Sequence, residues 1–396
     1  METQKTELLD FLRQEPEVSK VRDRLLTSGE AVVYGLYEGQ RMLVTASLAQ
    51  QWAQGNVLVL CDTQKRAKEL WEDFVDLLPG YEVLYFPALE MIPYEVVAQS
   101  GELEQKRLEV LSQLVLERQQ RFIVVTTIEG ISKKLLPRGD FCQGLLPLEV
   151  GQQMEQQQLK AHLVAFGYEY TEQVDRPGQF SVRGGIFDIY SVNYKNPLRL
   201  EFFDDDIASI RLFDAASQCS VEKVNHVCLV PGREFFLMPQ CKEAGMKKIR
   251  QQFTQQLEQM SKRKSREPLE RLQSKVGEVL EKLQQDLYFN GLEQYQTFFY
   301  PECASLLDYM GNGMLVVLDE ANRIQEAQEY LEKERRQTFS ELLLKGNVLP
   351  GQGEYFYELD EMAQMVNHGL HLSFSLLPKR SVFQETDLMR LSHGGL

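Results

Sequence analysis

Four short apolar runs, each followed by a helix-period pattern, fill the first 135 or so residues and leave few folds open. The runs are Ala31–Tyr34, closed by Gly35, then Val57–Cys61, Val83–Phe86, ended by Pro87, and Phe122–Thr126. Helical patterns separate them at 42–52, 64–78 and 102–117. In the second of these, Asp62-Thr63 is a helix start, and Leu70, Phe74 and Leu77 share one face. Strands apolar on both sides must be buried on both sides, so the alternation predicts an α/β fold around a parallel sheet.

Near residue 138 the pattern changes. Residues 139–155 are rich in Gly and Gln, 159–166 reads as one short helix, and β-like text with tight turns follows. Its strands are Gln179–Tyr190, Leu198–Phe203, Ile207–Phe213 and Val221–Val230. Residues 242–290 are helical and charged, with Pro268 expected to separate two helices. The α/β text then resumes with Met314–Leu318, helical patterns at 322–345 and 358–366, and short strands at 371–376 and 387–391. The order predicts a small α+β domain inserted into one α/β domain. The expected units are 1–137, 138–228 and 229–396.

Composition narrows the function classes. The chain has 396 residues, 43% hydrophobic and 26% charged, with 43 Lys+Arg against 58 Asp+Glu and a net charge of -15. Such an acidic chain is not a general coat for DNA, which needs clustered cations. One segment runs the other way: 242–282 holds 11 Lys+Arg and 6 Asp+Glu. Within it, residues 262–266 are basic but without interleaved aromatic residues, so a solvated helix end is expected there and little DNA binding. The six Cys include no Cys-x-x-Cys pair, which argues for reduced thiols rather than a metal or redox motif. No apolar run approaches the roughly 18 residues of a membrane span. A cytoplasmic protein without metal is expected.

The turn after the first strand lies where a nucleotide-binding loop would. Such a loop needs a second Gly, a Lys for the phosphates and a Ser or Thr for magnesium. Counted from Gly35, those places hold Gln40, Arg41 and Met42, and Gly39 comes one place early. The loop reads equally as a degenerate P-loop or as an ordinary strand–helix turn. Asp319-Glu320, after a buried strand, has the form of a Walker B end without a partner Lys. Asp204-Asp205-Asp206 reads as a hairpin turn.

Gln179–Tyr190 is the most informative stretch. Read as one strand, it places Phe180, Val182, Ile186 and Tyr190 on one face and Arg183, Phe187 and Ile189 on the other. An exposed Arg183 and Phe187 would suit an interface hot spot, or equally a cation–π pair that covers the sheet.

Three blocks carry a resemblance. Arg183–Tyr190, Arg199–Asp206 and Ser209–Asp214 resemble the second domain of the bacterial transcription-repair coupling factor family (Mfd), to which a domain of the excision-repair protein UvrB is related. Glu90–Glu95 and Val317–Ile324 are similar to the flanking text. The resemblance implies UvrB-like domains 1a, 2 and 1b, with a P-loop that has lost ATP and no cofactor in this chain. The stretch 87–107 is too short and too poor in aromatics for UvrB's DNA-gripping hairpin. It implies a non-catalytic module that recruits UvrA to RNA polymerase stalled at a lesion. The family's polymerase-binding domain and its ATP- and Mg-dependent motor on DNA lie in parts that this chain does not contain. The expected UvrA-facing surface centres on Arg183 and Phe187, with Arg176 and Glu169 as weaker neighbours. The alternative is an active UvrB-like ATPase that binds damaged DNA.

Overall fold

A computed structural model of the chain describes Leu9 and residues 11–89, 101–117, 120–262, 266–384 and 389–390. The chain begins with α1 (Pro16–Ser28), β1 (Glu30–Tyr34), α2 (Glu38–Gln51), β2 (Val57–Cys61), α3 (Gln64–Leu77), β3 (Glu82–Phe86), α4 (Gly101–Leu116) and β4 (Phe122–Thr127). Thr63 caps α3 as expected, its side chain accepting from the Arg66 amide. The middle of the chain holds β5 (Leu146–Glu149), α5 (Gln156–Ala165), β6 (Glu169–Tyr170), β7 (Gln179–Arg183), β8 (Ile186–Tyr190), β9 (Leu198–Phe203), β10 (Asp206–Phe213), β11 (Ser220–Val224) and β12 (His226–Leu229). Then come α6 (Pro239–Ser261), α7 (Glu267–Gln284), β13 (Leu315–Leu318), α8 (Ala321–Leu344), α9 (Leu359–Asn367), β14 (Leu370–Ser375) and β15 (Met389–Arg390).

The largest sheet has seven strands in the order β15-β1-β14-β13-β2-β4-β3. Every adjacent pair in it is parallel. The late strands β13 and β14 lie between β1 and β2, so this sheet closes only after the chain returns from its middle segment. Alternate residues serve opposite layers. Val57, Val59 and Cys61 face a core with the first three helices, while Leu58 and Leu60 face a second core with α4 and the late helices. Burial on both sides explains why these strands lack a polar alternation.

The middle segment builds a sheet of its own, in the order β11-β10-β9-β8-β7-β6. It is antiparallel except for the β6–β7 pair. Its inner face packs Phe180, Phe187, Ile189, Leu198, Leu200, Ile207 and Ile210 under α5 (Leu159, Leu163) and a two-stranded ribbon of β5 and β12. That ribbon joins the start of the segment to its end, Leu146 opposite Leu229, one residue past the expected boundary at 228.

The two helices expected around Pro268 are present, with the break just before it: Pro268 lies in the first turn of α7, where its missing N–H costs nothing. One expectation needs correction. The stretch 179–190 is not one strand but a hairpin that turns at Gly184-Gly185. Gly184 has φ 61, a left-handed conformation that favours glycine. The turn resets the alternation. Phe187 pairs with Val182 and Ile189 with Phe180, so all four point inward, and Arg183 pairs with Ile186 on the other face.

Candidate functional site

Two places could carry function: the ends of β1 and β13 in the large sheet, and the outer face of the inserted sheet.

At the first, β1 ends at Tyr34 and α2 starts at Glu38, so three residues make the turn. Gly35 has φ 90 and donates its amide to Ser375 O. Gln40 lies inside the helix, where its side chain accepts from the Tyr37 amide and caps the end. Met42 packs against the core. Arg41 points back under the turn, buried. Its Nε donates to Asp319 Oδ1 at 2.6 Å, and its Nη1 donates to Glu320 Oε1 at 2.8 Å and to Leu36 O at 3.1 Å. Arg66, from α3, donates Nε to Asp319 Oδ2 at 2.8 Å. Asp319 thus has a guanidinium on each oxygen.

The charges here are balanced within the cluster, although Arg66 Nη2 is buried without a hydrogen-bond partner among the described residues. Two cations face two carboxylates, and both carboxylates are buried. Burial pushes the Glu320 carboxyl above its ordinary value, against the pull of Arg41. Burial also raises the nearby Cys61 thiol, helped by the charge of Asp319, so it is no thiolate nucleophile. Burial works against charge on Arg66, but the Asp319 charge and hydrogen bond outweigh it and raise its pKa. Glu320 has φ 73, a costly backbone for a side chain with a Cβ. The Arg41–Glu320 bond helps to hold it. The sequence marked Arg41 as a misfit in a phosphate loop and Asp319-Glu320 as a relic strand end, but did not pair them, and Arg66 was missed, because only the fold brings α2 and α3 against the end of β13.

At the second place, the structure separates the four residues grouped from the sequence. Phe187 is 1% exposed and packs in the inserted core, its ring 5.3 Å from Phe202. It is not on the face that displays Arg183. Arg183 is exposed, and its Nη2 donates to Glu172 O at 2.9 Å. Arg176 and Glu169 are exposed and paired with each other at 2.7 Å. Both line a cleft of about 500 Å³ between the inserted sheet and the α/β body, together with Glu104, Arg233 and Glu234. Glu234 is buried. Burial pushes its carboxyl up, but Arg107 and Lys133, at 2.6 and 3.2 Å, outweigh that and hold it below its ordinary value.

The outer face of the inserted sheet is exposed at its Arg183–Ile186 corner, while Ser181 and Asp188 on the same face are buried. Its middle carries a polar network: Arg199 forks onto Asp188 at 2.6 and 2.8 Å, and Glu201 accepts from Ser209 at 2.7 Å and from Arg211. Asp204-Asp205-Asp206 forms the hairpin turn expected, with Asp206 opposite Phe203 and Asp204 at φ 53. Among the described residues, no group of three or more His, Cys, Asp or Glu is arranged to hold a metal ion. No helix among them is long and apolar enough to cross a membrane. The stretch 87–107 falls partly outside the described residues.

A parallel α/β domain with an inserted, mostly antiparallel sheet defines a class, and comparison with known proteins specifies it. Residues 146–235, which contain that sheet, match the UvrB interaction domain family. The chain is 33% identical to a transcription-repair-coupling factor of Bacillus subtilis over 320 residues, 81% of this chain and 27% of the relative. It is 26% identical to that of Staphylococcus aureus over 87% of this chain and 28% of the relative. With that of Haemophilus influenzae it shares 26% identity over 75% of this chain and 24% of the relative. The chain corresponds to the N-terminal region of the transcription-repair-coupling factors. It spans about a quarter of the length of the curated relatives it matches.

Proposed function

We propose that this chain is a non-catalytic recruitment module of transcription-coupled excision repair, which presents its inserted sheet to UvrA. In this reading, UvrB-like domains 1a (1–137) and 1b (229–396) form a degenerate P-loop body, and domain 2 (138–228) is the binding unit. The body needs no ATP or Mg, because Arg41 and Arg66 already neutralise the carboxylates that a magnesium site would use. RNA polymerase, DNA and the ATP-driven motor are engaged by other parts of the full-length family protein.

The observation that carries the reading is the exposed hairpin corner of the sheet inside the UvrB interaction domain, with Arg183 at its turn and Ile186 opposite it. A guanidinium held only by a carbonyl has donors left for a partner carboxylate. Phe187 supports this surface from beneath by fixing the hairpin, and touches no partner itself. The test is UvrA binding by the isolated chain, measured by calorimetry or interferometry. Arg183→Ala should weaken it roughly thirtyfold, about 2 kcal/mol, as a hot spot does. The melting temperature should barely move, because the side chain is exposed. Unchanged affinity together with a large loss of stability would make Arg183 structural and end this assignment.

A further inference from the structure

Phe203 is 73% exposed, at the end of β9 and on the same outer face as Arg199 and Glu201. A Phe so exposed at a strand end forgoes the burial that a core position would give it. Ile186, 38% exposed, is on this face too, opposite both Arg183 and Glu201 in neighbouring strands. Gly184 and Gly185 turn beside them and bring no side chain to cover the ring. At Gly185 an added Cβ would lie 3.0 Å from Phe202 O, a tight contact with backbone. The corner is also rigid. Phe202 N donates to Gly185 O at 2.8 Å, Met154 N donates to Asp205 O at 2.8 Å, and the Gln156 side chain donates to Asp204 O at 3.1 Å. Those last bonds use backbone carbonyls. They leave the carboxylates of Asp204, Asp205 and Asp206 exposed, with no ion pair to any of them among the described residues.

We infer that Phe203 is the apolar anchor of the partner surface, with Ile186 beside it, and that the Asp204–Asp206 turn selects a basic rim on the partner. The partner is a protein surface with a pocket for one aromatic ring, cations around the pocket, and a carboxylate placed for Arg183. Charge complementarity argues for that occupant: three unpaired carboxylates flank the ring on one side and one guanidinium lies on the other. The inference rests on the reading of this sheet as the UvrA-binding face, and gives that face the aromatic contact that Phe187, being buried, does not provide. Exposed aromatic and Arg side chains are the usual carriers of interface energy.

The test compares three variants of the full chain for UvrA binding: Phe203→Ala, Asp204→Asn/Asp205→Asn, and Arg183→Ala. Phe203→Ala should weaken binding at least tenfold with an unchanged melting temperature, the residue being exposed. The double Asn variant should slow association several-fold and flatten its dependence on salt. If Arg183→Ala weakens binding and Phe203→Ala does not, the anchor is elsewhere and this inference falls while the face stands. If none of the three weakens binding, the face itself is wrong. Loss of binding in Phe203→Ala accompanied by unfolding would overturn the anchor role, and Phe203→Leu would check it: a folded variant with restored affinity requires an apolar contact.

Discussion

At the residue scale, the same alternation rule succeeded and failed within twelve residues. Period-2 reading identifies Phe180 and Val182 as inward, which they are, but carrying the count through Gly184-Gly185 put Phe187 outside. A two-residue turn reverses the chain and restarts the phase, so a Gly-Gly pair between apolar runs is the signal that should have stopped the count. Arg41 was legible as the wrong residue for a phosphate loop, but not as a buried partner of Asp319, since no local pattern links positions 278 residues apart. Its role gives a prediction. Arg41→Ala would leave Glu320 buried without its cation and Asp319 with only Arg66. Removing one partner of a buried ion pair costs about 3–5 kcal/mol. Chemical denaturation should show a loss of that order, with UvrA affinity per folded molecule unchanged. A variant as stable as the parent would mean that the carboxylates are neutral or hydrated and the pairing is incidental.

At the element scale, the strands of the large sheet were legible because burial on both faces leaves unbroken apolar runs, and their bounds agree within a residue or two. The ribbon of β5 and β12 was half legible: β12 lies within the expected strand Val221–Val230, which the structure divides into β11 and β12, but β5 was not read, because its four residues lie inside a Gly- and Gln-rich stretch. Just after that ribbon the chain re-enters the α/β body, and Glu234 meets Arg107 of α4 and Lys133. Arg107 also donates to Pro87 O and Gly130 O and covers the Phe86 ring at 4.0 Å, so the cluster ties the returning segment to β3 and α4. The pH dependence follows from the sign of one shift. The folded carboxyl of Glu234 titrates below its ordinary 4.5, so its contribution is full above that value and disappears as the pH falls through the folded value. Stability attributable to this group should be flat from pH 7 to about 5 and decline in more acid solution. Glu234→Gln should lower stability at pH 7 by about 3 kcal/mol and make the acid decline shallower. Parallel denaturation curves for parent and variant from pH 3 to 7, differing by a constant, would show that the carboxylate does not titrate in this range.

At the scale of the whole molecule, the division of labour between body and insert sets what the protein responds to. The sheet of the body closes around β13 and β14, which come after the insert, so body and insert fold as parts of one chain path. A nucleotide-driven protein would leave the strand ends open for phosphates and magnesium. Here Arg41, Arg66, Asp319 and Glu320 fill that place with their own charges. A ligand that binds only the folded state stabilises it by about 2.7 kcal/mol at a hundred times its dissociation constant. For domains of 150–250 residues, each kcal/mol raises the melting temperature by roughly 2–4 °C. Millimolar Mg-ATP should therefore leave the melting temperature of this chain within about a degree, where a site of ten-micromolar affinity would raise it by several degrees. The same melt with Mg alone controls for ionic effects. An upward shift of several degrees that requires both Mg and ATP would mean that the buried arginines open to admit nucleotide. The protein would then be read as an ATP-responsive relative of UvrB rather than a fixed platform.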